Sequence, residues 1–197
     1  MKHSTRLCIL LIVITGTNLQ AQTPRYVEMA STLRDIYKRL NDSQDSLQEC
    51  REFFEAFPNT FADFDSLYGY EHDPSIMYHE YEAHVENVFR NLHCVSDSAY
   101  FKKLIQLGIG GHWEADAVGS LQQTIHERML ANPRLAFQLL ANLPPKSVSS
   151  FFYFFFNGIH APYNRIPKEF AALRTTFPQV YQGCEEGFRR GLNDSGH

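Results

Sequence analysis

The run Phe151-Phe152-Tyr153-Phe154-Phe155-Phe156 limits what this chain can fold into more than any other stretch. Six consecutive large aromatic side chains leave no face suited to water, so the element that carries them must lie inside, with others packed around it. A buried strand and a buried helix look alike over six residues. The preceding Pro144-Pro145-Lys146-Ser147 and the helical patterns on either side favour a central helix, with Ser147 as its cap.

A helix of this kind needs many apolar neighbours. Of 197 residues 44% are hydrophobic and 14% aromatic, too much for a chain that stays disordered. The 18 basic and 22 acidic residues give a formal charge of -4. That is unlike the strongly basic profile of nucleic-acid binders, so no nucleic-acid partner is expected.

Elsewhere the apolar residues recur at steps of three and four. Val27, Ala30, Leu33, Ile36, Tyr37 and Leu40 mark one face of a first helix. A second is expected over 46–57, stopped by Pro58, and a short third, capped by Asn59, carries Phe61, Phe64 and Leu67. Asp73-Pro74-Ser75 opens a long helix to Leu92 whose apolar face is Tyr81, Val85, Val88 and Leu92, with His84 on its flank and His79 toward solvent. Further helices follow over 98–107, 115–131, 135–143, the aromatic run, 168–176 and 178–190, and the last residues, 193–197, look frayed. Strand signals are scarce, no linker divides the chain, and no repeat aligns. The expectation is an all-α fold, a single domain of eight or nine helices packed as antiparallel helical pairs.

The amino terminus carries a different signal. Lys2 and Arg6 precede an apolar run from Leu7 to Ile14, followed by polar dilution and Ala21-Gln22. This is the pattern of a secretory signal peptide over residues 1–21, although Leu19 is a poor fit to the cleavage preference. Eight residues, about 12 Å of helix, fall short of a ~30 Å hydrocarbon core. Cys8 lies near the start of the run rather than after it, unlike a lipidated cysteine. No later stretch is long and apolar enough to span a bilayer. Residues 22–197 would then form the exported domain, periplasmic or secreted, with 16 basic against 22 acidic residues. Cys50, Cys94 and Cys184 remain; an oxidising compartment permits one bridge, and three pairings are open.

No phosphate loop, dinucleotide fingerprint or nucleophile elbow is present, and no cofactor is implied. His79 and His84 lie five apart, about 140° around an α-helix, which is wrong for sharing one metal ion. Two segments offer a candidate functional surface. In Gly110-Gly111-His112-Trp113-Glu114-Ala115-Asp116 a flexible turn feeds a helix start, presenting His112, Trp113, Glu114 and Asp116. The structural expectation beside it is that Asp116 or Glu114 caps or charge-complements the helix and Trp113 wedges into the core. In Asn157-Gly158-Ile159-His160-Ala161-Pro162, His160 stands on a rigid loop, where it serves as a base only if a carboxylate such as Asp116 folds against it.

The segment Phe53-Phe54-x-x-Phe57-Pro58-x-x-Phe61-x-x-Phe64-x-x-Leu67-Tyr68-Gly69-Tyr70 resembles one found in exported all-helical proteins of unassigned function from Bacteroidota. Gly111-x-Trp113-x-Ala115-Asp116-Ala117-Val118 and Phe156-Asn157-Gly158-x-His160 are similar to the same group. The resemblance implies an exported helical protein of a Gram-negative bacterium and carries over no catalytic residue. The leading functional expectation is therefore a non-enzymatic exported binding module of the bacterial envelope whose partner is another protein. One form of this is a periplasmic immunity protein against a delivered toxin. The rival is a hydrolase whose His112, Asp116 and His160 converge in a helical cleft.

Overall fold

The structure, a computed structural model, describes residues 19–42, 47–70, 76–158 and 165–194, with side chains from Pro24 onward. These residues form an all-α domain without strands. Helix α1 (Leu19–Asp42) packs beside α2 (Leu47–Ala56), and α3 (Phe61–Tyr68) lies against α1. On α1, Ala30, Leu33 and Ile36 are buried as the spacing requires, but Val27 is 53% exposed: the helix runs past the core there. Thr60, not Asn59, caps α3, its side chain accepting the Asp63 N–H at 3.1 Å.

The stretch expected as one long helix is wound differently. Asp73-Pro74-Ser75 lies outside the described residues. Beyond it come a 3-10 turn (Tyr78–Glu80), a π-helix (Glu82–Val88) and a second 3-10 turn (Phe89–Asn91). The Phe89 N–H donates to the His84 carbonyl, five residues back. Wider winding turns the chain about 80° per residue instead of 100°, which brings residues five apart onto one arc. His84, placed on the flank by α-helical counting, is therefore drawn inside with Val85 and Phe89 and is only 1% exposed.

Four more helices follow: α4 (Asp97–Gly108), α5 (Ala117–Ala131), α6 (Pro133–Leu140) and α7 (Pro145–Phe156). Ser96 caps α4 and Asn132 caps α6, each side chain accepting a backbone N–H at 3.3 Å. Val118, Leu121, Ile125 and Met129 all face inward from α5. The aromatic run is helical and central: its five phenylalanines in α7 are buried. Its start is set by Pro145 in the first turn, so Ser147 is not the cap. At its other end α5 satisfies carbonyls that the helix leaves open. Gln122 Nε2 donates to the Phe154 and Asn157 carbonyls (2.5 and 2.6 Å), and His126 Nε2 to that of Phe155 (2.5 Å).

The single turn α8 (Lys168–Ala171) leads to α9 (Pro178–Asp194), which makes the closest helix–helix contact with α7. Three glycines spaced by four, Gly183, Gly187 and Gly191, allow it. A Cβ there would come to 2.7 Å from Val148 Cγ1, 2.6 Å from the Phe152 backbone and 2.9 Å from the Phe156 backbone, respectively. Both sets of numbers rise together, so α7 and α9 run parallel, unlike the antiparallel pairing expected of neighbouring helices. The connection between them, which contains α8, is long enough to return the chain to the start of α7.

Cys50 and Cys94 form a disulfide, and Cys184 is a free, buried thiol, which resolves the three open pairings. The bridge spans 44 residues from α2 to the turn before α4. Closing a loop of that size removes about 4 kcal/mol of unfolded-chain entropy. Reduction is expected to lower the melting temperature by about 10 °C in a thermal scan with and without dithiothreitol. A melting temperature indifferent to the reductant would mean that the bridge does not form. Among the described residues no helix is long and apolar enough to cross a membrane.

Candidate functional site

Between α4 and α5 the chain runs as non-helical backbone through residues 111–114. This segment, with Ala115 and Asp116 that follow it, holds four of the five residues singled out from the sequence and sends them to different places. The His112 ring is exposed and meets Phe61 edge-on at 5.0 Å. Trp113 is half-buried rather than wedged into the core. Its N–H donates to Asn157 Oδ1 at 2.7 Å, and its ring covers Gly158, where a Cβ would lie 2.7 Å from Trp113 Cδ1. Gly158 has φ +147°, a conformation that favours glycine on its own account. The two candidate segments thus meet through Trp113, Asn157 and Gly158. His160 lies outside the described residues.

Neither acid caps α5. Glu114 is buried, and its Oε1 accepts the Tyr70 backbone N–H at 2.5 Å. Asp116 stands at the cap position without a side-chain bond to the helix, and its φ of +57° makes it the one non-glycine residue at positive φ among those described. Such a conformation costs about 1–3 kcal/mol. Its Oδ2 accepts instead from the Tyr78 hydroxyl. One short segment therefore holds two tyrosines from a distant part of the chain, Tyr70 by its backbone and Tyr78 by its phenol.

Together with Tyr81 they form a surface cluster. The Tyr70 and Tyr78 rings lie 5.7 Å apart at 58°, those of Tyr78 and Tyr81 6.1 Å apart at 45°, and the His79 ring meets Tyr78 edge-on at 5.2 Å. Tyr70 is 67% exposed, the most open of the large hydrophobic side chains. The hydrogen bond to Asp116, with that carboxylate's charge, pushes the Tyr78 phenol up to about 12. Burial, then the charges of Asp116, Glu82 and Glu86, raises Tyr81. The face is aromatic, hydroxyl-rich and negative. Among the described residues, His112 goes to Phe61 and Asp116 to Tyr78.

The tyrosines were not among the residues chosen from the sequence. The available signal was density, for four of the ten tyrosines fall within residues 68–81. His84 belongs to the core beneath. Its Nδ1 lies 3.0 Å from the Tyr68 hydroxyl, and its ring packs 4.8 Å from Tyr37 and 5.7 Å from Phe53. Glu80, four residues before it, forms a bidentate ion pair with Arg34 of α1. Among the described residues no three His, Cys, Asp or Glu side chains cluster as a metal centre would require. A concavity of about 530 Å³ between α1 and α2 is lined by charges of both signs, two of which, Arg39 and Glu52, pair with each other.

No protein-family model, curated protein or solved structure matches this chain.

Proposed function

We propose that the protein is an exported helical binding module of the bacterial envelope, without catalytic activity, that recognises another protein through the Tyr70–Tyr78–Tyr81 face. The observation that carries this reading is the cost accepted to build that face. A strained Asp116 and a buried Glu114 both serve to hold tyrosines at the surface rather than to cap the helix beside them. Tyrosine suits such a face, because it offers large contact area and a hydroxyl at a low cost in conformational entropy. The export part of the reading is supported by the amino-terminal pattern and by the Cys50–Cys94 bridge, a bond that persists in oxidising compartments.

Affinity capture from an envelope extract tests it, with wild-type protein and Tyr70→Ala run side by side. Because Tyr70 is largely exposed, its removal leaves the core alone. A central aromatic anchor contributes about 2 kcal/mol, so the variant is expected to bind roughly thirtyfold more weakly and to lose the partner on washing. Proteins retained equally by both would place binding elsewhere on the molecule.

A further inference from the structure

Arginine over tyrosine recurs across this protein. Among the described residues, Tyr26, Tyr100, Tyr153 and Tyr181 each have an Arg guanidinium over the ring, at 5.5, 4.9, 4.7 and 5.3 Å from the centroid. Tyr70, Tyr78 and Tyr81 have none among those residues, although their surroundings favour a cation more. The face of a phenol ring attracts positive charge through its quadrupole. Donation of the Tyr78 hydroxyl to Asp116 leaves the phenol oxygen more negative and the ring richer in electrons. Asp116, Glu82 and Glu86 are the charged groups that bear on Tyr81, and all three are anions. The nearby Arg34 is already held by Glu80 and by the Ile76 carbonyl at 2.8 Å.

Building on the binding-face reading above, we infer that the Tyr70–Tyr78–Tyr81 cluster, with Asp116, receives the guanidinium or ammonium of a basic side chain on the partner protein. The rings supply cation–π contact and Asp116 the counter-charge. Tyr70, the most exposed, is free to close over the incoming group. The partner's complementary segment is accordingly rich in Arg or Lys.

Two short peptides that differ only in charge provide the test, one rich in arginine and the other with citrulline, its neutral isostere, at every arginine. Titrated into the purified protein and followed by NMR of the tyrosine rings, the arginine peptide is expected to shift Tyr70, Tyr78 and Tyr81 saturably. The citrulline peptide is expected to bind about tenfold more weakly. Asp116→Asn keeps the shape and an oxygen that can accept from Tyr78, and it should weaken the arginine peptide by roughly fivefold while leaving the fold intact. Equal binding of both peptides, shifts confined to tyrosines outside the cluster, or no shift at all would overturn the cation site. The capture experiment separates this from the broader reading. A partner lost with Tyr70→Ala but retained with Asp116→Asn removes the cation and leaves the binding face. A partner indifferent to Tyr70→Ala removes the face itself.

Discussion

Gly187→Ala is expected to destabilise the protein by about 3 kcal/mol, lowering its melting temperature by roughly 10 °C. Within a helix the same substitution ordinarily stabilises, by about 1 kcal/mol, because alanine loses less backbone freedom on folding. The sign is reversed here by what the new methyl group meets. It would lie 2.6 Å from the carbonyl carbon and Cβ of Phe152 and from the backbone nitrogen of Tyr153. No rotamer change relieves contact with backbone, so α9 must move off α7 and loosen the phenylalanines packed between them. Gly119 in α5 supplies the control. A Cβ there meets only the Glu114 carbonyl oxygen at 3.7 Å, an ordinary contact, so Gly119→Ala should gain up to about 1 kcal/mol. Urea denaturation of both variants gives the comparison. Opposite signs are expected, and a stable Gly187→Ala would mean that the helices are not in this contact.

The second large effect is with acid. Burial lowers His84 and His126 from an ordinary value of 6.5 to about 4; Glu80 partly offsets this at His84, and the Phe155 carbonyl and Glu127 do so at His126. Between pH 6.5 and 4 the unfolded chain therefore binds protons that the folded chain refuses. The contribution of each histidine is complete above pH 6.5 and is lost as pH falls through the folded value. By pH 4 the loss is about 3 kcal/mol per histidine, a large part of the 5–15 kcal/mol that holds a typical domain. The bonding makes this concrete. Burial is what excludes the charge: Nε2 of His126 donates to the Phe155 carbonyl without needing a second proton on the ring, and Nδ1 of His84 shares a hydrogen bond with the Tyr68 hydroxyl that a neutral ring can make. His126→Gln keeps a donor for that carbonyl and removes the titration. Urea midpoints measured from pH 7 to pH 4.5 are expected to fall less steeply in this variant than in wild type. An unchanged slope would count against the assignment.

Much of the architecture is legible in local spacing. Pro58, Asn132-Pro133 and Pro144-Pro145 divide the helices because a missing N–H or a side-chain cap acts within a few residues. The inward faces of α1 and α5 follow from their three- and four-residue steps, apart from Val27. His84 escapes that logic because its burial depends on π winding, and no residue type marks a π turn in advance. The glycine spacing of α9 is visible in the sequence, but which helix it admits, and in which direction, depends on the course of the chain between residues 157 and 177. At the candidate site, local reasoning located His112 to Asp116 as a special turn and assigned its acids to the wrong partners. Helix capping is a neighbour's interaction. The bonds formed instead, Glu114 to Tyr70 and Asp116 to Tyr78, cross 44 and 38 residues.

The parallel seam between α7 and α9 also sets an order in time. The side of α7 that carries Phe152 and Phe156 is closed by residues 35 positions further along the chain. Until Gly183, Gly187 and Gly191 arrive, α7 has water along one flank, and that interval is when a holding chaperone or a neighbouring molecule finds its target. The small residues of α9 are thus a closing latch as well as a close fit.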